Sequence, residues 1–250
     1  MSLCPDCIKG VRHGGTPEGE IEFIGGVRRY VSTPSGEYNK EKAVLFLPSI
    51  FGIDLINAQL LVDDFARNGF KTIAIDYLNG DPLPGDALTG GKYDIPAWFA
   101  RHGNDQTRPN IDKVVAALRE QGVKDFGSTG YCFGARYGFD IAFENISKVT
   151  VVSHPSLLKV PEDLEKYKKL SKAPLLINSC TFDTQFLKES QAEADMILGE
   201  GAQFTETYRR EYFEGCAHGF AIRGDVSKPE VKAGKEGSFK AAVLFFKNHL

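Results

Sequence analysis

Short apolar runs alternate with segments of helical spacing along most of this chain. The apolar run at 43–47 is followed by apolar residues at helical intervals within 54–68, and the predicted strands at 126–131, 148–153 and 173–179 are likewise each followed by a predicted helix. Parallel strands need a crossover connection, usually a helix, and when both faces are covered they are apolar throughout. The alternation therefore predicts an α/β fold, a mostly parallel sheet with helices on both faces.

The start of the chain and the helix boundaries refine this prediction. Residues 21–32 contain two short runs around Gly25 and Gly26, a pattern typical of a β-hairpin, which we expect to form an antiparallel edge of the sheet. Asp54 and Thr107 each precede a segment of helical spacing. We expect both to be helix N-caps, because their side chains can accept a hydrogen bond from a free N–H group of the first turn.

Composition limits the domain count and the partners. The chain has 250 residues, of which 42% are hydrophobic, and no linker or internal repeat, so we expect one domain over residues 1–250 with an N-terminal extension at 1–18. A formal net charge of -3 offers no basic surface for nucleic acid. The apolar run at 241–246 is too short to span a bilayer. We expect neither a nucleic-acid nor a membrane partner.

The cysteines and the first residues indicate a compartment. The N-terminus lacks the apolar segment of a secretory signal, and the five cysteines are irregularly spaced, so we expect reduced thiols in a cytoplasmic protein. Cys4 and Cys7 form a C-x-x-C pair, which is half of a zinc site or a redox pair, but no second pair follows. We expect no metal ion and no cofactor, and a monomer or a homodimer.

The stretch GYCFGARYG, residues 130–138, carries the strongest chemical signal. Gly130, Cys132 and Gly134 match the nucleophile elbow G-x-S-x-G, with sulfur in place of oxygen. The elbow is a strained strand-to-helix turn that leaves little room for neighbouring side chains, and the helix N-terminus favours a thiolate. Gly138 is expected to let the helix pack closely on the sheet. The motif alone fits a small buried cysteine in a glycine-rich turn equally well.

Two further residues favour a catalytic role for this cysteine. Asp183 and His218 each follow a predicted strand, so both should lie with Cys132 at the carboxyl edge of the sheet. Their order along the chain, nucleophile, acid and then histidine, is that of the α/β-hydrolases. The sequence therefore predicts a Cys-His-Asp triad for acyl transfer.

The segments LFLPSIFG, DYLNGDP, GYCFGARYG and AHGFAIRGD resemble the dienelactone hydrolase family, in particular its fungal branches, and the similarity covers nearly the whole chain. The resemblance implies an α/β-hydrolase fold, the triad Cys132, Asp183 and His218, and an oxyanion hole formed by the backbone N–H groups of Phe133 and Ile50.

The chain also differs from the founding enzymes of that family. Ser49 stands where they have a glutamate that helps to activate the thiol, so His218 would act as the base alone. Asn79 and, with an offset of one residue, Arg223 stand where they have two arginines that hold the substrate carboxylate. We expect Ser49, Asn79 and Arg223 to line the substrate site.

Arg136 and His154 are further candidates for this site. Arg136 follows the elbow within one helical turn and either faces the substrate or forms a structural salt bridge. His154 ends a predicted strand and either lines the pocket or is a structural histidine. Cys180 and Cys216 are interpreted as small packing residues.

The sulfur itself indicates the substrate. A thiolate attacks carbonyl groups readily but is also a good leaving group, because cysteine titrates near pH 8.5. A tetrahedral intermediate with a basic alkoxide would therefore mostly expel sulfur and revert. We expect a small-molecule substrate with an acidic leaving group, an enol lactone or an aryl ester, and a hydrolase that forms an acyl thioester.

Two other functional classes share part of this pattern. A class I glutamine amidotransferase has a similar elbow, but it needs a glutamate two residues after its histidine, where this chain has Ser156 after His154 and Phe220 after His218. A non-catalytic member of the same fold could bind a small molecule or use Cys132 as a redox sensor. Such a protein would need neither Asp183 nor His218.

Overall fold

The computed structural model describes residues 9–88 and 93–250. Its strands form a single sheet of eight in the order β1-β2-β4-β3-β5-β6-β7-β8. The strands are β1 Glu20–Ile24, β2 Val27–Ser32, β3 Lys42–Leu47, β4 Thr72–Ile75, β5 Asp125–Tyr131, β6 Ser147–Ser153, β7 Leu175–Phe182 and β8 Tyr208–Ala217. The helices are α1 Ile56–Arg67, α2 Ile95–Arg101, α3 Asn104–Glu120, α4 Phe133–Phe143, α5 Glu162–Leu170, α6 Lys188–Gly199, α7 Phe220–Arg223 and α8 Pro229–His249.

The pairing of the strands confirms the predicted fold class. β3 to β8 pair in parallel with their neighbours in the sheet, whereas the hairpin of β1 and β2 lies at one edge and β2 pairs antiparallel with β4. Gly25 and Gly26 form the hairpin turn with φ of 56° and 76°, values that favour glycine. The carboxyl ends of the parallel strands consequently meet along one edge.

Helices cover the sheet on both faces. Along β3, Val44 and Phe46 pack into a core with α1 and α8, whereas Leu45 and Leu47 pack into a second core with α3 and α4. This alternation follows from the two-residue period of a strand, and burial on both faces explains why β3 is apolar throughout. A third cluster lies between α4, α5 and α6.

Both predicted helix caps were wrong. The α1 helix begins at Ile56 without a side-chain cap, because the carboxylate of Asp54 accepts two hydrogen bonds from Arg28 on β2, at 2.6 and 2.8 Å. The α3 helix begins at Asn104, so Thr107 lies within it and its hydroxyl donates to the carbonyl of Gly103 at 2.9 Å.

The start of the described chain packs on α1. Lys9 exchanges backbone hydrogen bonds with the Asn68 side chain, and Arg12 forms an ion pair of 2.7 Å with Asp64. Cys4 and Cys7 lie outside the described residues. Among residues 9–88 and 93–250, no helix is long and apolar enough to cross a membrane.

Candidate active site

Cys132 lies at the sharp turn between β5 and α4, with φ of 52° and ψ of −115°. This left-handed backbone is strained for a residue with a side chain, and such strain is common at functional sites. The flanking glycines have no space for a Cβ atom. A Cβ on Gly130 would lie 2.6 Å from the Gly134 carbonyl oxygen, and a Cβ on Gly134 would lie 2.0 Å from the Leu47 carbonyl oxygen. The turn therefore needs both glycines of the motif.

This geometry predicts the effect of filling the elbow. Gly134→Ala should lower the free energy of unfolding by about 1–3 kcal/mol or more, because the β3 backbone would have to move. Gly138→Ala is the matched control on the same helix. A Cβ there meets its nearest atom at 3.6 Å, so Gly138 is not needed for close packing as the sequence suggested, and alanine should be neutral or stabilising by about 0.5–1 kcal/mol. Urea unfolding measures both, and equal stabilities would contradict the prediction.

The ends of β7 and β8 bring Asp183 and His218 together. Asp183 directly follows β7, and His218 directly follows β8, which is four residues longer at its carboxyl end than the sequence predicts. The Nδ1 atom of His218 lies 2.9 Å from Oδ1 of the buried Asp183. The same oxygen accepts the backbone N–H groups of Gln185 at 2.8 Å and Phe186 at 3.1 Å. The carboxylate is thus fixed and can hold the imidazole in one orientation.

The electrostatics favour a charged pair between sulfur and imidazole. Burial raises the pKa of Cys132, but hydrogen bonding to His218 and the positive charge of that ring outweigh burial, so the thiol pKa is lowered overall. Burial lowers the pKa of His218, but Asp183 and the Cys132 sulfur raise it to about 10. Each partner stabilises the charged form of the other. The site therefore favours the charged pair of thiolate and imidazolium over the neutral pair.

The loop after β3 lines the same cleft as Cys132, and hydrogen bonds to the carbonyl groups of the loop fix its position. The Tyr77 hydroxyl donates to the carbonyl of Pro48, and the Leu83 N–H donates to the carbonyl of Ile50 at 2.8 Å. The carbonyl of Ser49 accepts the N–H of Gly52 at 2.9 Å. These contacts engage the carbonyl groups of the loop and the Gly52 N–H, whereas the Ile50 N–H has no backbone acceptor among the described residues.

Among the described residues, two backbone donors, one in the loop after β3 and one at the start of α4, have no backbone acceptor. Within the described part of the chain, the N–H groups of Ile50 and Phe133 have no carbonyl partner. The Phe133 N–H also contributes to the lowered pKa of Cys132, so it lies close to the sulfur. Both are candidates for stabilising an oxyanion on a substrate attached to Cys132.

A cleft of about 390 Å³ opens at this edge of the sheet, and Cys132, His154 and His218 lie in its wall together with Ser49 and Arg223. Its remaining lining is largely apolar and includes Ile50, Phe51, Phe220, Ile222 and Val231. The volume suits a small molecule, and an apolar cleft with few convergent polar groups is typical of ligand sites.

Arg223 is a cationic side chain in the wall of the cleft. Its guanidinium lies 3.7 Å from the centroid of the Phe51 ring and donates to the Gly85 carbonyl at 3.0 Å. Burial lowers its pKa, although the Cys132 thiolate has the opposite effect. No carboxylate of the described residues pairs with it. Arg223 can therefore bind an acidic group of a ligand.

His154 is completely buried under the cleft. Neither of its ring nitrogens has a hydrogen-bond partner among the residues described, and its ring centroid lies 5.0 Å from that of His218. Burial, and then the charge of His218, hold the pKa of His154 well below its usual value. The ring is therefore neutral beside the imidazolium.

The structure does not bring Arg136 or Asn79 to this cleft. Arg136 points toward α5, where it pairs with Asp163, and it also pairs with Asp140 at 2.8 Å, which is the structural salt bridge considered from the sequence. The Asn79 side chain donates to the Gln106 carbonyl at 3.2 Å and so is bound to the first turn of α3. Their side chains are engaged away from the sulfur.

One neighbour of the thiol was missed by the sequence reasoning. The Ser156 Oγ lies 3.6 Å from the Cys132 Sγ. The signal for it was weak: Ser156 follows β6, which pairs with β5 directly beside the elbow, but it lies three residues beyond the strand end. Cys180 and Cys216 are buried in the core, as expected for packing residues.

Comparison with known proteins decides the family. The sequence model of the dienelactone hydrolase family matches residues 27–250. The chain belongs to the dienelactone hydrolase family. The resemblance inferred from its motifs and the predicted enzyme class, a hydrolase of this type, are thereby confirmed.

Fungal members of the dienelactone hydrolase family are similar over nearly their whole length. The hydrolase pyvD of Aspergillus violaceofuscus is 34% identical over 245 residues, which are 98% of this chain and 96% of that protein. Dienlactone hydrolase 1 of Gibberella moniliformis is 30% identical and covers 96% of this chain and 91% of its own.

Solved structures of the family share the fold. A candidate dienelactone hydrolase from Klebsiella pneumoniae superposes with a TM-score of 0.68 over 89% of this chain and 93% of its own, at 18% identity. The expected α/β-hydrolase fold is thus confirmed, whereas so low an identity supports no statement about the substrate.

Proposed function

We propose that this protein hydrolyses activated carboxylic esters or lactones, such as aryl esters and enol lactones, through an acyl thioester on Cys132. The observation that carries this proposal is the thiol on a strained elbow whose pKa is lowered by His218, which is in turn held by Asp183. A low-pKa thiolate is a strong nucleophile at neutral pH, and a redox sensor would need no such acid and base.

The proposed reaction has two halves. In the first, Sγ forms a bond to the acyl carbon, and the N–H groups of Ile50 and Phe133 stabilise the oxyanion. The intermediate then collapses, the bond to the leaving oxygen breaks, and His218 donates a proton to it. In the second, neutral His218 takes a proton from water, the water oxygen attacks the thioester, and sulfur leaves as the thiolate.

Two features support the substrate class. Thiolate is expelled more easily than a simple alkoxide, so forward reaction favours esters of acidic alcohols. Arg223, without a carboxylate partner among the described residues, would bind an acidic group elsewhere on the substrate. Ser49 lies in the same wall and would contact the acyl part, and the buried His154 would form the floor beneath it. The names of the fungal relatives, a hydrolase and a dienlactone hydrolase, are consistent with this class.

A series of esters with one acyl group tests this proposal. We expect kcat/KM to rise steeply as the leaving alcohol becomes more acidic, so that phenyl and enol esters react far faster than the ethyl ester. Each rate is divided by the rate of hydroxide-catalysed hydrolysis of the same ester, which removes intrinsic reactivity. Equal rates for the ethyl and phenyl esters, with the chemical step shown to limit turnover, would contradict a thiolate nucleophile.

A further inference from the structure

The loop after β6 holds the elbow on both sides of Cys132. The Cys132 N–H donates to the Ser153 carbonyl at 3.2 Å, and the Ser156 N–H donates to the Cys132 carbonyl at 3.2 Å. The Ser156 hydroxyl lies 3.6 Å from the sulfur. Both backbone groups of the strained residue and its reactive atom are thus contacted by one four-residue segment.

The conformation of this loop aims the hydroxyl at the sulfur. His154 and Leu157, on either side of the Pro155-Ser156 pair, have left-handed backbones with φ of 39° and 60°. Such residues are uncommon outside glycine and persist only where the surroundings enforce them. Ser156 itself is 5% exposed, so bulk water does not compete for its hydroxyl.

We propose that Ser156 is a fourth catalytic residue, whose hydroxyl donates a hydrogen bond to the Cys132 thiolate. This inference rests on the proposed function of Cys132 as the nucleophile. The sulfur then has Ser156 as a side-chain donor in addition to His218 and the Phe133 N–H, and Ser156 carries no charge that titrates with pH. Ser49 has no described contact with the sulfur; its own hydroxyl lies 3.5 Å from the Phe51 N–H.

The electrostatics agree with this geometry. The lowered pKa of Cys132 reflects burial, which opposes the thiolate, and then His218 and the Ser156 hydrogen bond, which favour it. A hydroxyl that donates to an anion stabilises that anion and not the neutral thiol. Ser156 therefore increases the fraction of thiolate at neutral pH.

The same hydrogen bond acts in the second half-reaction. When water attacks the thioester, a bond forms between the water oxygen and the acyl carbon, and His218 takes the proton. The carbon–sulfur bond then breaks with its electron pair on sulfur. The thioester sulfur is a poor acceptor, whereas the departing thiolate is a strong one, so the Ser156 hydrogen bond strengthens as the bond breaks.

The pH dependence of thiol alkylation by iodoacetamide tests this role without any ester. In Ser156→Ala we expect the midpoint for alkylation of Cys132 to move up by about one pH unit, which makes alkylation about tenfold slower well below the midpoint. Ser156→Thr and Ser156→Val form a pair of nearly equal volume, and only Thr, which keeps the hydroxyl, should retain the wild-type midpoint. Ser153→Ala, whose hydroxyl accepts from Asn178 at 3.0 Å, controls for changes in the loop and should not shift it.

The outcomes separate this inference from the proposed function. A midpoint that is the same in wild type, Ser156→Ala and Ser156→Val would overturn the role of Ser156 even if aryl esters are hydrolysed. A shifted midpoint in Ser156→Ala and Ser156→Val but not in Ser156→Thr would support the role of Ser156 even if no ester is hydrolysed. In that case only the proposed function fails. If Ser156→Ala does not fold, as checked by circular dichroism, the comparison of Ser156→Thr with Ser156→Val decides whether the hydroxyl matters.

Discussion

Cys132→Ala should abolish hydrolysis of phenyl esters, with a fall in kcat on the order of 10⁶-fold, the loss seen when a hydrolase loses its nucleophile. The expected loss is this large because no other described thiol lines the cleft. Cys180 and Cys216 are buried elsewhere, and burial is the main cause that raises the pKa of both thiols. Steady-state kinetics with a chromogenic phenyl ester measures it.

The control for this prediction is Cys216→Ala, which removes a buried thiol outside the cleft and should keep turnover. A complementary measurement uses one equivalent of a thiol alkylator on the wild-type protein, with the modified residue identified by mass spectrometry. Activity that survives complete labelling of Cys132 would exclude a covalent role for this residue.

Asp183→Asn should reduce kcat by about 10⁴-fold while the protein stays folded. The carboxylate oxygen that binds His218 Nδ1 also accepts two backbone N–H groups, which an amide oxygen can still do. An amide does not stabilise the imidazolium as a carboxylate does, and Asp183 is the largest of the causes that raise the pKa of His218. The thiolate–imidazolium pair should therefore form less readily.

The measurements for this variant are kcat with a phenyl ester and the pH midpoint of Cys132 alkylation, which we expect to rise with the loss of the imidazolium. Glu189→Gln is the matched control, because it removes one negative charge from the exposed first turn of α6, away from His218. A rate in Asp183→Asn close to that of the wild type would mean that another group orients His218.

Much of the fold could be predicted because burial dictates it. Strands covered on both faces must be apolar, as β3 is at Val44 and Leu45, and the alternation with helices leaves few other architectures. The cap at Asp54 could not be predicted in the same way. Its carboxylate is taken by Arg28, a partner from another strand that is unknown until the sheet forms.

The candidate site also has a part that the sequence predicts and a part that depends on tertiary contacts. Cys132, Asp183 and His218 were found because each stands after a strand, and strand ends meet at one edge. The orientation of Arg136 depends on the rotation of α4 against α5, which a spacing of one helical turn does not determine. Ser156 reaches the sulfur only through left-handed residues of its loop.

The charge state of the site also needed the structure. From reference pKa values alone, a base near pH 6.5 and a neutral thiol would be expected. The structure instead indicates a lowered pKa for Cys132 and a pKa of about 10 for His218, because the contacts of His218 with Cys132 and Asp183 outweigh burial, which opposes both shifts. Shifts of this kind arise from distances and burial, which one sequence does not contain.

The place of β8 at the end of the sheet has a consequence for the chain while it is being synthesised. His218, which lowers the pKa of Cys132, follows this last strand, 86 residues after the thiol in the sequence. Until β8 has joined β7, the thiol lacks this partner and remains mostly protonated at neutral pH. A ribosome-bound chain therefore carries a less reactive cysteine, and the nucleophile reaches its full reactivity only when folding is nearly complete.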